Sequence, residues 1–510
     1  MTGDAERDRL LAVNDDAATL KRQSGRGAAY TILAQGTNIV IHFGWTIIMA
    51  RLLTPADFGI VAMAAPILAF AGLVASMGLG QAIMQRQHLT HAELSNLYWA
   101  SLSIYCAVGL IIIAASPAIA DFYNAPEVAA VVMTYGGLTI MNGLGAVHGS
   151  TLLRQLKFGW TAGIRLSARI VGVGVGLFVA WKWQTYWALV ALPIASSFCG
   201  LILTWSVSGW RPSWYRRNVP IGSLLGFGSN VATARIMNFF AENTDTVMIG
   251  RLWGDVALGF YSRAFKLMVT PTTLTTKPLA PVALTILSRL APTPQRYRRS
   301  YLSLHRLVLL GLAPIILALV TLADIAVPLL LGPGWEEVVP IFQALGILAI
   351  MRTILVVLNW LFLAEGRARE FRQWGLIRAG VITVTVVIAA PFGPLAIALA
   401  FAGMMTFILT PIHIYRATKG STVRLGDILT TLAIFVPAAI AACTTLIVMN
   451  RHLELPGPLI LGAGVLVAYA IVLGFFVATT AGRQALQQGA ELAKAAATSK
   501  TDPNKSSEEA

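Results

Sequence analysis

Apolar runs of about twenty residues follow one another along this chain, parted by short segments rich in Arg, Gly, Pro and Asn. Each run suits one helix across the roughly 30 Å hydrocarbon core of a bilayer, at about 1.5 Å rise per residue. The pattern predicts fourteen spans, near residues 28–50, 57–80, 96–116, 127–147, 162–181, 185–206, 223–250, 256–287, 304–330, 337–364, 370–391, 394–414, 427–449 and 457–478. An all-α integral membrane protein follows. The first run comes after a polar stretch and is too long for a signal-peptide core, so it is expected to insert as an uncleaved span.

Two neighbouring runs break the apolar rule. On the seventh span Arg235, Asn238, Glu242 and Asp245 fall on one helical face. Arg263, Lys266, Thr270, Thr273 and Lys277 do the same on the eighth, beyond a short turn at residues 251–255. A charge at mid-bilayer costs about 3 kcal/mol on insertion scales, so two charged stripes imply a polar, net cationic cavity inside the bundle. Span 1 carries a milder stripe, Gln35, Asn38, His42 and Trp45, which either faces that cavity or bonds to neighbouring helices.

Composition agrees: 56% of the 510 residues are hydrophobic and 12% charged. The net charge of +15 would suggest nucleic acid in a soluble protein, but here most of it lies in short loops. Arginine and lysine crowd the loops on one side, from Arg86 through Arg298 and Arg299 to Arg424. The opposite loops hold only Arg51, Lys182, Arg251 and Arg451. This positive-inside bias puts both termini in the cytoplasm and leaves no sizeable outside domain. Cys106, Cys199 and Cys443 are scattered in apolar runs and read as small core residues, not as a disulfide or metal framework.

An internal repeat is visible. At an offset of 200, Arg51, Leu52 and Gly59 match Arg251, Leu252 and Gly259, while Asn38 matches Asn238 and His42 falls opposite Glu242. At an offset of 213, Arg154, Phe158 and Arg165 match Arg367, Phe371 and Arg378. Six spans part the copies, so the halves share one orientation and are related by a pseudo-two-fold axis along the membrane normal. The expected layout is a tail over 1–27, an N-lobe over 28–206, a C-lobe over 223–414, a trailing helix pair over 427–478 and a second tail over 479–510. Carriers built from such halves bind substrate between them.

Particular residues carry a family resemblance. Arg51 to Gly59 (RLLTPADFG), Leu94 to Trp99 (LSNLYW), Asn243-Thr-Asp245 with Gly250-Arg251, Gly259 to Ala264 (GFYSRA), Gly332 to Trp335 and Gly366-Arg367 resemble bacterial polysaccharide exporters. Their order is similar to that of the colanic-acid and succinoglycan exporter branch of the multidrug/oligosaccharidyl-lipid/polysaccharide flippase superfamily. The resemblance covers residues 25–480. It implies a bacterial cytoplasmic-membrane flippase that moves undecaprenyl-diphosphate-linked oligosaccharide outward by alternating access. Polymerisation machinery would act after it, and the resemblance transfers no binding residues.

Those must come from the chemistry of the stripes. Asp245 with Arg263 and Glu242 with Lys266 are matched in depth. They form either structural ion pairs or carboxylates that couple to a cation such as H+ or Na+. Arg235, Lys277 and Arg352 lack a sequence-evident counter-charge and suit a diphosphate, which guanidinium groups bind bidentately. Arg263, Lys266, Asn38 and His42 complete the candidate substrate site. Pro271, Pro278 and Pro281 interrupt the eighth span's hydrogen-bond ladder. Seven tryptophans near span ends (Trp160, Trp181, Trp183, Trp187, Trp210, Trp214 and Trp335) read as interfacial anchors.

No phosphate-binding loop, HExxH or paired-cysteine motif supports an enzyme, a cofactor or a metal. Gly172, Gly174 and Gly176 lie inside a span, where helix packing explains them better than a nucleotide does. The rival readings are an ion-coupled multidrug exporter, which would favour an acidic cavity, and a lipid II flippase. From another class comes a membrane polysaccharide polymerase or ligase, which would need an outside catalytic loop. The topology has a direct test. Pro294→Cys and Ser421→Cys should react with impermeant thiol reagents only in opened cells, and Gly334→Cys and Glu454→Cys in intact ones. Labelling of Ser421→Cys from outside would sink the fourteen-span arrangement.

Overall fold

The computed structural model describes residues 36–38, 40–76, 80, 83–84, 86, 89–219, 221–453, 455–484 and 486–487, and among these all side chains but those of 222–238, 240, 241 and 278. Residues 1–27, Gln35 and residues 488–510 lie outside them. Among the described residues every regular element is a helix. Eleven are long and apolar enough to cross a membrane, and they match expected spans 2–6 and 9–14. The first span lies partly outside the described residues. The seventh and eighth are the two limbs of one charged helical hairpin. Contacts divide the chain into two compact units, residues 1–262 with 386–394 and residues 263–385 with 395–510.

The first unit opens on helix 40–52 (α1) and α2 (Pro55–Ser76). The turn between them is built by the TPAD part of the motif. Thr54 donates its N–H and hydroxyl to Asp57 Oδ2 at 2.9 and 2.7 Å, and the Asp57 N–H returns to Thr54 Oγ1 at 3.4 Å. Pro55 takes the first helical position, where its missing N–H costs nothing. Next come α3 (His91–Tyr123), α4 (Glu127–Arg154), α5 (Phe158–Trp183) and α6 (Trp187–Ser208). A Cβ at Gly172 would press to 2.6 Å from the Leu192 carbonyl oxygen, and one at Gly176 would overlap the Trp45 ring. These two glycines are helix-packing positions, as expected. Trp210 and Trp335 differ from the expected anchors: they are 2% and 1% exposed, because the chain folds them into the interior.

The segment after α6 is strapped to the start of α3. Asn96 Nδ2 donates to the carbonyls of Arg216 and Val219 at 2.7 and 3.1 Å, and its Oδ1 accepts from the Arg216 N–H at 2.8 Å. Trp99 Nε1 donates to the Ser213 carbonyl at 2.8 Å and its ring stacks on Trp214. Ser95 Oγ accepts from the Ser213 N–H at 3.1 Å. The LSNLYW motif is thus a clasp for the segment that leads to the next helix.

That helix, α7 (Gly222–Leu290), contains one non-helical residue, Gly254, at φ 80° and ψ −171°. Gly254 occupies backbone space that favours glycine, and the chain reverses there. The reversal is plain from Asp245 and Tyr261, sixteen residues apart yet bonded at 2.8 Å. The second limb stays helical through Pro271, Pro278 and Pro281, so the expected interruption does not extend to its backbone dihedrals.

The turn of α7 seats on the first unit at several points. Trp253 Nε1 donates to the Ala390 carbonyl at 2.8 Å, and Arg251 lies over the Phe122 ring. The closest approach uses the sequence repeat. A Cβ at Gly59 would overlap the Asp255 carbonyl and stand 2.7 Å from Asp255 Cα, and a Cβ at Gly259 would overlap the Pro55 carbonyl oxygen and stand 2.7 Å from its carbon. Residues 55 and 59 correspond to 255 and 259 at the offset of 200. Each copy of the motif therefore presents a glycine to the turn of the other.

The second unit holds the rest of α7 with α8 (Pro294–Thr321), α9 (Ala323–Leu331), α10 (Val338–Ala364), and, apart from residues 386–394, α11 (Ala368–Ala389) and α12 (Pro394–Gly403, running through a π-helical turn to Thr418). It ends in α13 (Leu425–His452) and α14 (Gly457–Ala478). Leu317, Leu322, Leu446, Val472 and Phe476 form the core that joins this last pair to α8. The repeat at offset 213 is structural too. Arg154 donates to the Ile83 and Arg86 carbonyls, and Arg367 to those of Arg416 and Ala417. Both arginines pin backbone at helix ends.

Gly259→Val forces a side chain onto the Pro55 carbonyl and should destabilise the protein by about 1–3 kcal/mol or more. Gly137→Ala, where a Cβ meets nothing within 4 Å, is the control and should be neutral or slightly stabilising. Thermal unfolding in detergent separates the two, and equal midpoints would refute the close-contact reading.

Candidate functional site

The candidate residues centre on the α7 hairpin, so their depths can be measured from its turn. Along the helix, Glu242 stands about 18 Å before Gly254 and Lys266 about 18 Å after it, with Asp245 and Arg263 each about 14 Å away. With the turn at one membrane surface, these four lie near the middle of a roughly 30 Å core. Arg235 and Lys277 stand about 28 and 35 Å from the turn, at the opposite headgroup level.

Burial sorts the groups. Asp245 is 6% exposed and accepts from the Tyr261 hydroxyl at 2.8 Å and from the Thr246 N–H at 2.7 Å. Glu242, Lys266 and Lys277 are exposed, and Arg263 is half-buried. A charged side chain exposed at mid-bilayer depth must look onto water, because lipid cannot solvate it. Arg352 is half-buried, midway along α10. Asn38 and His42 are half-buried at the start of the first unit, and the Thr46 hydroxyl donates to the His42 carbonyl at 2.9 Å. Trp45, the last member of that stripe, is packed against α5 and belongs to the interior. The side chain of Arg235 lies outside the described residues.

Within the first unit the structure joins Asp245 to Tyr261. Arg263, Lys266, Lys277 and Arg352 belong to the second unit. Tyr261 is the partner that sequence reasoning missed. Its place in the GFYSRA motif, within about one helical turn of Asp245 in depth, was the available signal. The clasp residues Ser95, Asn96 and Trp99 show no role in the sequence alone, since their partners lie well over a hundred residues away.

Each unit holds part of this chemistry by itself: the first has the carboxylates Glu242 and Asp245, and the second the cations Arg263, Lys266, Lys277 and Arg352. Among the described residues no three His, Cys, Asp or Glu side chains gather as a metal site. The cysteines are free and half-buried.

Similarity to known proteins agrees with the motifs. The profile of a polysaccharide biosynthesis protein family matches residues 48–340. The teichuronic acid biosynthesis protein TuaB of Bacillus subtilis (strain 168) is 24% identical over 358 residues, 70% of this chain and 74% of that protein. The succinoglycan biosynthesis transport protein ExoT of Rhizobium meliloti (strain 1021) is 24% identical over 373 residues, 72% of this chain and 75% of that one. Among solved structures, the lipid II flippase MurJ in an inward closed conformation superposes with a TM-score of 0.70 at 13% identity, over 87% of this chain and 97% of MurJ. At that identity the likeness speaks for the fold alone, a multi-span helical architecture. The exporter resemblance read from RLLTPADFG, LSNLYW and GFYSRA is borne out, and the chain belongs to the polysaccharide biosynthesis protein family.

Proposed function

We infer that this protein is a flippase that carries undecaprenyl-diphosphate-linked oligosaccharide repeat units across the bacterial cytoplasmic membrane for polysaccharide biosynthesis. The observation that carries the reading is the exposed charge at mid-bilayer depth on α7, in a multi-pass protein of the polysaccharide biosynthesis family. The sugar-diphosphate head of such a lipid is the part that cannot cross hydrocarbon unaided, and a cationic, water-lined path is what it requires.

The arrangement we propose has fourteen spans, both termini in the cytoplasm, and two six-helix lobes about a pseudo-two-fold axis with α13 and α14 trailing. The positive-inside loops support the orientation, and the sequence repeats with the reciprocal Gly59 and Gly259 packing support the axis. Arg235 and Lys277, at the headgroup level far from the turn, meet the diphosphate as it loads from the cytoplasmic leaflet. Arg263, Lys266 and Arg352 receive it further in, with Asn38 and His42 as hydrogen-bonding partners. Closure of the α1–α2 and α7 turns by their two glycines seals the outer end while the inner end loads. A polymerase takes the repeat unit once it is outside.

Of the two carboxylates, Asp245 braces the hairpin through Tyr261, and Glu242, being exposed, is the one to exchange a coupling cation, H+ or Na+. Glu242→Gln should then uncouple transport from the ion gradient while thermal stability stays put. Tyr261→Phe should cost about 1–2 kcal/mol of stability and leave ion dependence intact. Ion dependence that survives Glu242→Gln would remove Glu242 from the mechanism.

The substrate assignment is tested by deleting the gene and extracting lipid-linked intermediates: a diphosphate-linked repeat unit should accumulate in the cells. In proteoliposomes, Arg235→Ala or Arg352→Ala should weaken substrate affinity about 10- to 100-fold, and Arg→Lys should restore only part, because the bidentate geometry is lost. Wild-type affinity in both alanine variants would place the diphosphate elsewhere.

A further inference from the structure

In the second unit, a cavity of about 640 Å³ lies where α8 begins, α13 begins and the chain leaves α14. Its walls include Arg298, Arg299 and Arg306 from α8 and Arg424 from the loop before α13, with Leu302 and Thr422 between them. One carboxylate stands close by. Asp427 pairs with Arg298 through both of its oxygens and accepts the Arg424 N–H at 2.9 Å. Four guanidinium groups around one cavity with one carboxylate leave a strong excess of positive charge, which favours an anionic occupant.

Two of the arginines are set in place by the protein. Arg306 is 8% exposed, and it donates from Nε to Thr431 Oγ1 at 3.2 Å and from Nη1 to the Ala481 carbonyl at 2.9 Å. Arg298 is held by Asp427. The other two, Arg299 and Arg424, line the cavity and are exposed. Two fixed and two adaptable guanidiniums suit a phosphate, whose oxygens accept forked hydrogen bonds from arginine.

The surroundings say where that phosphate comes from. The cavity sits at helix ends, at the depth of lipid headgroups. In the first two turns of α13, Leu425 and Leu429 are exposed on one face, and in the last turn of α14 Phe475 and Val477 are exposed. Apolar side chains on both helices thus continue from the rim of the cationic cavity along the lipid-facing surface. A phosphate with acyl chains attached satisfies both halves; a free phosphate satisfies one.

We propose that this cavity binds the phosphate headgroup of an anionic glycerophospholipid of the surrounding leaflet. The leaflet is the cytoplasmic one, a detail that rests on the orientation under the proposed function. Binding itself does not depend on that reading, because it can be measured in micelles with no substrate present. The lipid joins α8 to the start of α13 by neutralising the arginines they bring together.

The test uses the full chain in neutral detergent with a fluorescent phosphatidylglycerol as probe. The double variant Arg299→Gln with Arg424→Gln should raise its apparent Kd about 10-fold or more. Arg296→Gln, an exposed arginine on the same turn of α8 that does not line the cavity, should leave it unchanged. Unlabelled phosphatidylglycerol should displace the probe, and phosphatidylcholine or inorganic phosphate should not. If Arg296→Gln weakens binding as much as the double variant does, the attraction is that of a diffuse basic surface and the site is refuted. Displacement by inorganic phosphate as readily as by phosphatidylglycerol overturns the lipid assignment, and an unchanged Kd in the double variant overturns the site itself.

Discussion

Hydrocarbon offers nothing to solvate a charge or to pair a backbone amide, and that single constraint organises this protein. It demands helices wherever the chain crosses the membrane, and every regular element among the described residues is one. It also makes each ionisable residue within a span costly, so the ones that remain must be bonded or must face water. The α7 hairpin shows both solutions side by side: Asp245 is buried against Tyr261, and Glu242, one turn away, is exposed.

The tight turns of the first unit follow from a second constraint, the bulk of a side chain. The motif that marks the family is mostly a set of instructions for bringing two turns together. Thr54, Pro55 and Asp57 start α2 sharply, Gly254 reverses α7, and Gly59 with Gly259 remove the atoms that would hold the turns apart. On the proposed reading, function is layered on this framework by residues outside the motif's structural role, chiefly the lysines and arginines on the limbs of α7.

Much of this was legible in the sequence because hydropathy and positive charge act locally. A run of apolar residues is a span whatever surrounds it, and eleven of the expected runs were found as membrane-length helices. The repeat at an offset of 200 was legible as a pattern, but its use in reciprocal packing was not, since nothing local says that Gly59 will meet Asp255. The same holds for Asp245, whose matched partner in charge was Arg263 and whose bonded partner is a tyrosine. Trp210 reads as an anchor from its place after a span, and only the folding back of residues 209–219 shows why it is buried. Contacts made across long separations are set by shape, and shape is what a hydropathy pattern leaves out.

The clasp at the start of α3 has a consequence for how the protein is made. Ribosomes deliver the chain from its amino end, and Asn96 emerges 120 residues before the Arg216 backbone it will grip. The receiving groups on α3 are therefore already seated when the tether is synthesised. As that tether leaves the insertion machinery it finds a docking point, which fixes where the next helix enters the bilayer. A lengthened tether would forfeit this guidance, so insertions within residues 209–219 should be poorly tolerated.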